Sequence, residues 1–192
     1  MAKFFDMLGL SLILIVLIFI LYTPLAFVHE LGHFIVASVL RLDVATFTLG
    51  YAPYTAIFNL SNQSTTDFAI GSLQIELRPT LLGGSIYIPL SDSDKASIYN
   101  NLFLALRLIF VVSAGFIVNF SLCYFLVRRS GYSLQMFSSI LFTRSKFLSQ
   151  GYFIVVTAIT SCLMGVYSLF ASGQDGSHIL SILKAIIYRT NI

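Results

Sequence analysis

The sequence predicts a multi-pass α-helical membrane protein, with about three transmembrane helices and a small membrane-associated β-sheet between the first and second. Three observations carry this expectation. Charged residues are 10% of the 192, against about a quarter in soluble domains, and the mean hydropathy is +0.90. Three apolar runs, at 7–40, 102–127 and 151–170, reach the roughly 20 helical residues needed to cross a hydrocarbon core of about 30 Å. Residues from about 44 to 90 instead show period-two alternation and many β-branched and aromatic side chains, which is the pattern of strands.

The first run is uncharged from Met7 to Val28, longer than the roughly 7 to 15 apolar residues of a cleavable signal, and reads as a retained membrane anchor. As one helix, its 34 positions from 7 to 40 would measure about 51 Å at 1.5 Å per residue, so it must tilt, protrude or break. Pro24 is the expected place for a bend, because it lacks a backbone donor and crowds the carbonyl of Ile20. Just beyond it, AFVHELGHFIV holds two of the three histidines of the chain, His29 and His33.

Between the first two runs, FTLGYAPYTAIF, LQIELR and SIYIPL read as short strands, and NLSNQSTTD (59–67) as a polar turn. Gly83 and Gly84 allow a tight bend or a close backbone approach there. Asp43, Asp67, Glu76, Asp92 and Asp94 fall in this polar region and are expected to be solvated. The basic stretch at 128–147 is expected to lie along the lipid surface. A C-terminal helix is expected at about 177–189, from the spacing of its apolar residues. The whole chain, 1–192, reads as one membrane-embedded core.

The net charge of +3 is scattered through apolar segments without a basic face, which argues against nucleic-acid binding. Basic residues do not set the orientation, because a three-span arrangement places five on each side. Cys123 and Cys162 lie inside predicted spans, with no metal-binding spacing. No oligomeric state follows from the sequence.

His29 and His33 stand four apart, so a helix projects both imidazoles from one face. Glu30 lies about 100° round from His29. This is the H-E-x-x-H arrangement: two ligands for one zinc ion, Zn(2+), and a carboxylate able to take a proton from zinc-bound water. Ionisable groups inside a span cost about 2.5 to 3.5 kcal/mol each when charged, which makes the cluster a functional site by default. Gly32 leaves room for a substrate backbone or a neighbouring helix. A catalytic zinc site needs a third protein ligand, and Asp175 and His178 in QDGSH are both candidates. Gly176 would let the chain turn Asp175 into the bundle, while helix capping would account for Asp175 without a metal.

A long first span ending in HELGHF, then FTLGYAP, LLGGSIYIP, SAGFIVNF and QDGSH in that order, resembles the site-2 protease family of intramembrane zinc metalloproteases. The resemblance covers roughly residues 20 to 185 and looks like a minimal core without the PDZ domain of some relatives. It implies His29, His33 and Asp175 as ligands of one zinc ion and Glu30 as general base. His178 becomes a neighbouring group, and Asn119 matches the family's second-span asparagine. It also implies that the β segment around Gly83 and Gly84 holds substrate as an added strand.

The implied activity is hydrolysis of peptide bonds in or near transmembrane segments of membrane-protein substrates, within the lipid bilayer. The implied location is the bacterial cytoplasmic membrane, with zinc towards the cytoplasmic side. The chain departs from the family pattern at Phe116, where a proline is usual, and at Gln174 and Ser177, where leucine and a second glycine are usual. It also reads YSLFASGQDGS where relatives carry an asparagine and prolines. A catalytically impaired member acting as a membrane binding or regulatory protein is the alternative these departures favour. A zinc-binding transporter or sensor would need further charges inside the spans, and Arg107 alone is found there.

Overall fold

The computed structural model describes residues 2–51, 66–70, 73–77, 80–90, 101–131, 149–171 and 174–189. Among these residues four helices and four strands follow one another: α1 (Ala2–Val39), β1 (Thr46–Tyr51), β2 (Thr66–Ile70), β3 (Leu73–Leu77), β4 (Thr80–Tyr87), α2 (Leu102–Ser130), α3 (Gln150–Phe170) and α4 (Asp175–Arg189). Three helices are long and apolar enough to cross a membrane, which makes this an integral membrane protein.

α1 does not break at Pro24 but runs as one helix of 38 residues. The uninterrupted helix keeps the residues on either side of the proline in register, which fixes the direction in which the HELGH segment faces. α2 begins at Asn101, whose side chain accepts from the backbone N–H groups of Phe103 and Leu104, and it ends at Gly131 in the left-handed conformation. Near its start, Arg107 donates to the carbonyl of Leu40, just past the end of α1. A cation there meets the negative pole of α1, which explains the one basic side chain inside a predicted span.

The interior is built where the three helices meet. Tyr152, Val155, Val156 and Ala158 of α3 pack against Leu14, Leu17, Ile18 and Leu21 of α1 and Cys123, Leu126 and Val127 of α2. Higher along α1, Leu25 and Ala26 meet Met164. α1 and α3 therefore run in one direction and α2 in the other. Phe110, Ile117 and Tyr124, seven apart on α2, are exposed together with Phe19, Ile20, Leu163 and Phe170, the apolar outer surface that lipid would cover.

The sheet has the order β2-β3-β1-β4, with β1 parallel to β3 and antiparallel to β4. It leans on α1 through Phe47, whose ring meets Phe27 and Phe34 edge-on, each at 6.0 Å between centroids. Gly83 does not make a tight bend. It stays within β4 at φ 86°, opposite Gly50 at φ 98°, where the β1–β4 register shifts, a conformation that favours glycine. Glu76 is half-buried and accepts from the Thr48 hydroxyl at 3.4 Å, so it is not the freely solvated group the sequence suggested. The predicted turn at 59–67 lies outside the described residues up to 65, and its last two residues, Thr66 and Asp67, instead open β2; most of the basic stretch, 132–147, also lies outside the described residues. α4 starts two residues earlier than expected, at Asp175.

Candidate metal centre

Helical periodicity gives the HELGH segment two working faces. Phe27, Glu30 and Phe34 point towards the sheet, while His29, Gly32 and His33 point towards α2. The helices approach closely at Gly32, where a Cβ would lie 2.8 Å from Val118 Cγ2 and 3.2 Å from the Ala114 carbonyl oxygen. Gly32 thus makes room for a neighbouring helix. Gly115 of α2 lies directly against the imidazoles, and a Cβ there would come within 2.5 Å of His29 Cε1 and Nε2. On the other face, Gly84 of β4 meets Glu30, and a Cβ on Gly84 would lie 2.5 Å from Glu30 Cγ.

Asp175 comes to the same point from α4. Its Oδ2 lies 3.2 Å from His29 Nε2 and 3.4 Å from His33 Nε2, and the two Nε2 atoms are 3.2 Å apart. The Asp175 side chain is thus turned to the histidines, not capping its own helix. Gln174 holds the flanking position, its carbonyl accepting from the N–H groups of Ser177 and His178. The turn requires Gly176, where any Cβ would overlap the Leu169 carbonyl.

The outer nitrogen of each ring is also engaged. His33 Nδ1 lies 2.7 Å from the Val111 carbonyl oxygen. A carbonyl only accepts, so Nδ1 carries the proton and, in the neutral ring, Nε2 presents a lone pair to the centre. His29 Nδ1 is 3.0 Å from the Asn119 carboxamide nitrogen, and Asn119 Oδ1 is buried without a hydrogen-bond partner among the described residues. A half-turn of that amide places Oδ1 on a protonated Nδ1, so that His29 Nε2 also faces inward as an acceptor.

Two imidazole lone pairs and a carboxylate oxygen then converge with no donor among them, and such a group needs a cation. Three ligands bonded at about 2.0–2.1 Å in a tetrahedron are spaced about 3.3–3.4 Å apart, and the observed triangle has sides of 3.2, 3.2 and 3.4 Å. His29, His33 and Asp175 could therefore hold one metal ion without rearrangement.

The group opens into a cavity of about 480 Å³. Glu30, Gln174 and His178 line it with the three converging residues, together with an aliphatic wall that includes Ile86 of β4, Ile88 just after that strand, and Leu108 and Val112 of α2. His178 sits exposed at the edge of the cavity and is absent from the converging group. Gly84 and Ser85 bring the β4 strand to the same cavity. Among the described residues β4 pairs with β1 alone and is the edge strand of the sheet on this side.

Sequence reasoning singled out Asn119 in SAGFIVNF but missed Gly115, although the four-residue spacing to Asn119 puts both on one helical face. Ser168 was missed as well. It is buried, and its hydroxyl donates to Asp175 Oδ2 at 2.5 Å.

Comparison with known proteins adds an independent line. The model of peptidase family M50 matches residues 13–190. A probable membrane metalloprotease of Arabidopsis thaliana, ARASP2, chloroplastic, is 32% identical over 111 residues, covering 55% of this chain and 23% of that protein. The membrane metalloprotease ARASP, chloroplastic, of the same plant is 31% identical over 110 residues, covering 55% of this chain and 22% of its own length. The chain thus spans less than a quarter of the length of these curated relatives.

Proposed function

The chain belongs to peptidase family M50, the site-2 protease family, and from that premise we propose that it is a zinc-dependent membrane protease cleaving peptide bonds in or near the transmembrane segments of membrane proteins. The observation that carries this reading is the triangle of His29, His33 and Asp175 beside Glu30, inside a membrane protein and next to β4, which lies at the edge of the sheet among the described residues. Two nitrogens and one carboxylate oxygen form a donor set suited to zinc. A zinc ion held there supplies Lewis acidity towards a carbonyl and brings the pKa of water to about 7.

The roles of the residues follow from placement. His29 and His33 would hold the metal through Nε2, each oriented by its outer nitrogen, and Asp175 would complete the set through Oδ2. Glu30, on the neighbouring face of α1 and backed by Gly84, would take the proton of the attacking water and deliver it to the leaving amine. A substrate helix hides its carbonyls in its own hydrogen bonds and must first be extended. The β4 edge offers the backbone partners of an added strand, and Gly83 and Gly84 keep that edge narrow beside Glu30. The aliphatic wall suits apolar side chains next to the scissile bond. Family resemblance suggests the bacterial cytoplasmic membrane as the place of action.

A catalytically silent member is the competing reading, favoured by one feature, the altered stretch SLFASGQDGS. Glu30→Gln separates the two. The variant keeps an amide of nearly the same size and should retain one zinc per chain while cleavage of a model transmembrane substrate disappears. Cleavage at the wild-type rate by this variant would remove Glu30 as the base. A wild-type chain that binds zinc but leaves every presented transmembrane substrate intact would favour the silent member.

A further inference from the structure

Serine and threonine hydroxyls within helices commonly return their proton to the carbonyl four residues earlier. Ser38, Thr157, Thr160 and Ser181 do this, at 2.8, 2.7, 2.8 and 2.9 Å. Two hydroxyls of α3 bond differently. Ser161 Oγ donates to the Asn119 carbonyl oxygen at 2.8 Å, and Ser168 Oγ donates to Asp175 Oδ2 at 2.5 Å. Ser161 and Ser168 are seven residues apart, two turns along one face of α3, and both are buried, at 0% and 5% exposure. Each bond ends on a residue that holds or orients the metal site.

The Ser168 bond is the more consequential, because it falls on the same oxygen that faces both histidines. Every member of the triangle then has an anchor outside it: His33 on Val111, His29 on Asn119, and Asp175 on Ser168. The first two anchors come from α2, and the third comes from α3, at the start of the stretch where the sequence departs from its family.

We propose that Ser168 is a positioning residue for the metal, its hydroxyl holding Asp175 so that Oδ2 alone enters the site and Asp175 binds as a single-oxygen ligand. The proposal rests on the reading of Asp175 as a ligand given above. A carboxylate oxygen that accepts one hydrogen bond keeps a lone pair for one ion, and a fixed hydroxyl stops the carboxylate from rotating to bind through both oxygens. A second carboxylate oxygen in the site would fill the position that water needs.

The test compares Ser168→Thr with Ser168→Val in the full chain purified in detergent. The two replacements have nearly the same shape and differ in the hydroxyl. Zinc affinity is measured by competition with a chromophoric chelator, and coordination by the visible absorption of the cobalt(II)-loaded chain, which weakens as coordination number rises. Ser168→Thr should bind zinc within about threefold of wild type, whereas Ser168→Val should bind about 10- to 100-fold more weakly and show weaker cobalt absorption.

Ser168→Ala, which leaves more space, should behave as the valine variant. Equal zinc affinity and equal cobalt spectra for the threonine and valine variants would overturn the proposal. The Asp175→Ala control separates the two levels of argument. If it loses zinc while Ser168→Val does not, the inference about Ser168 fails alone; if it binds zinc as wild type does, the ligand assignment fails and takes this inference with it.

Discussion

The two halves of the candidate metal centre are built on different physical principles. On the α1–α2 side, the two histidines come from one continuous helix, and their spacing is fixed by the helical repeat. Backbone fixes their surroundings too: Gly115 and Gly32 let α2 approach, and a main-chain carbonyl orients His33. On the α3–α4 side, one carboxylate, that of Asp175, arrives where α3 gives way to α4. A glycine with no space for a Cβ and one serine hydroxyl put it in place. The first half is rigid because a helix has few alternatives; the second depends on a few local contacts, each of which one substitution can remove.

The largest expected effect tests whether both halves are needed. His33→Ala removes a ligand from the helical half, and Asp175→Ala removes the whole contribution of the other. Both should reduce zinc from one per chain to a small fraction, as measured by metal analysis of the purified protein. Zinc surviving at one per chain in Asp175→Ala alone would break the comparison, because His178, at the edge of the same cavity, would then have taken over. Removing zinc from the wild-type chain with a strong chelator should abolish cleavage, and restoring the ion should recover it, provided that the helices remain packed.

A smaller effect is expected when the helical half is crowded without losing a ligand. Gly115→Ala would place a methyl group where the imidazoles stand. Moving either the rings or α2 should weaken zinc binding by about 100-fold, the upper end of the range seen when the surroundings of a ligand are altered. Circular dichroism should show the helices retained. Zinc affinity unchanged in Gly115→Ala would mean that the α1–α2 contact yields easily, and the contrast in rigidity between the halves would not hold.

The same contrast explains what the sequence revealed. The three spans, the strands between the first two and the placement of the two HELGH histidines on one helical face were legible, because each depends on a local period of 2 or 3.6 residues or on the thickness of a membrane. Glu30 on a different face from His29 followed from the same arithmetic. Spacing alone did not decide between Asp175 and His178, since they stand only three positions apart and the turn at Gly176 determines which faces the bundle; the order of motifs, through family resemblance, favoured Asp175. At Pro24, of the tilt, protrusion or break the sequence allowed, a break does not occur, and packing of Leu25 and Ala26 against Met164 accompanies the continuous helix. Ser168 gave no local signal at all, because its partner lies beyond the reversal between α3 and α4, and a period cannot be carried across a change of direction.

The smallest expected effect lies where the two halves join. Ser161 of α3 donates to the main-chain carbonyl of Asn119 and not to its side chain. Asn119 is therefore tied to α3 by its backbone and to His29 by its carboxamide. Ser161→Ala removes one buried hydrogen bond, worth about 0.5–1.5 kcal/mol of stability, but the α2 helix still fixes the backbone at Asn119. The melting temperature in detergent should fall by a few degrees, as a loss of that size implies for a chain of this length. Zinc affinity should stay within about threefold of wild type, short of the 10- to 100-fold expected when a group touching the ligand is lost. A tenfold loss of zinc affinity in Ser161→Ala would mean that backbone support on the α1–α2 side reaches the metal as directly as the Ser168 hydroxyl does on the other. The two halves would then differ in how their ligands are encoded but not in how firmly they are held.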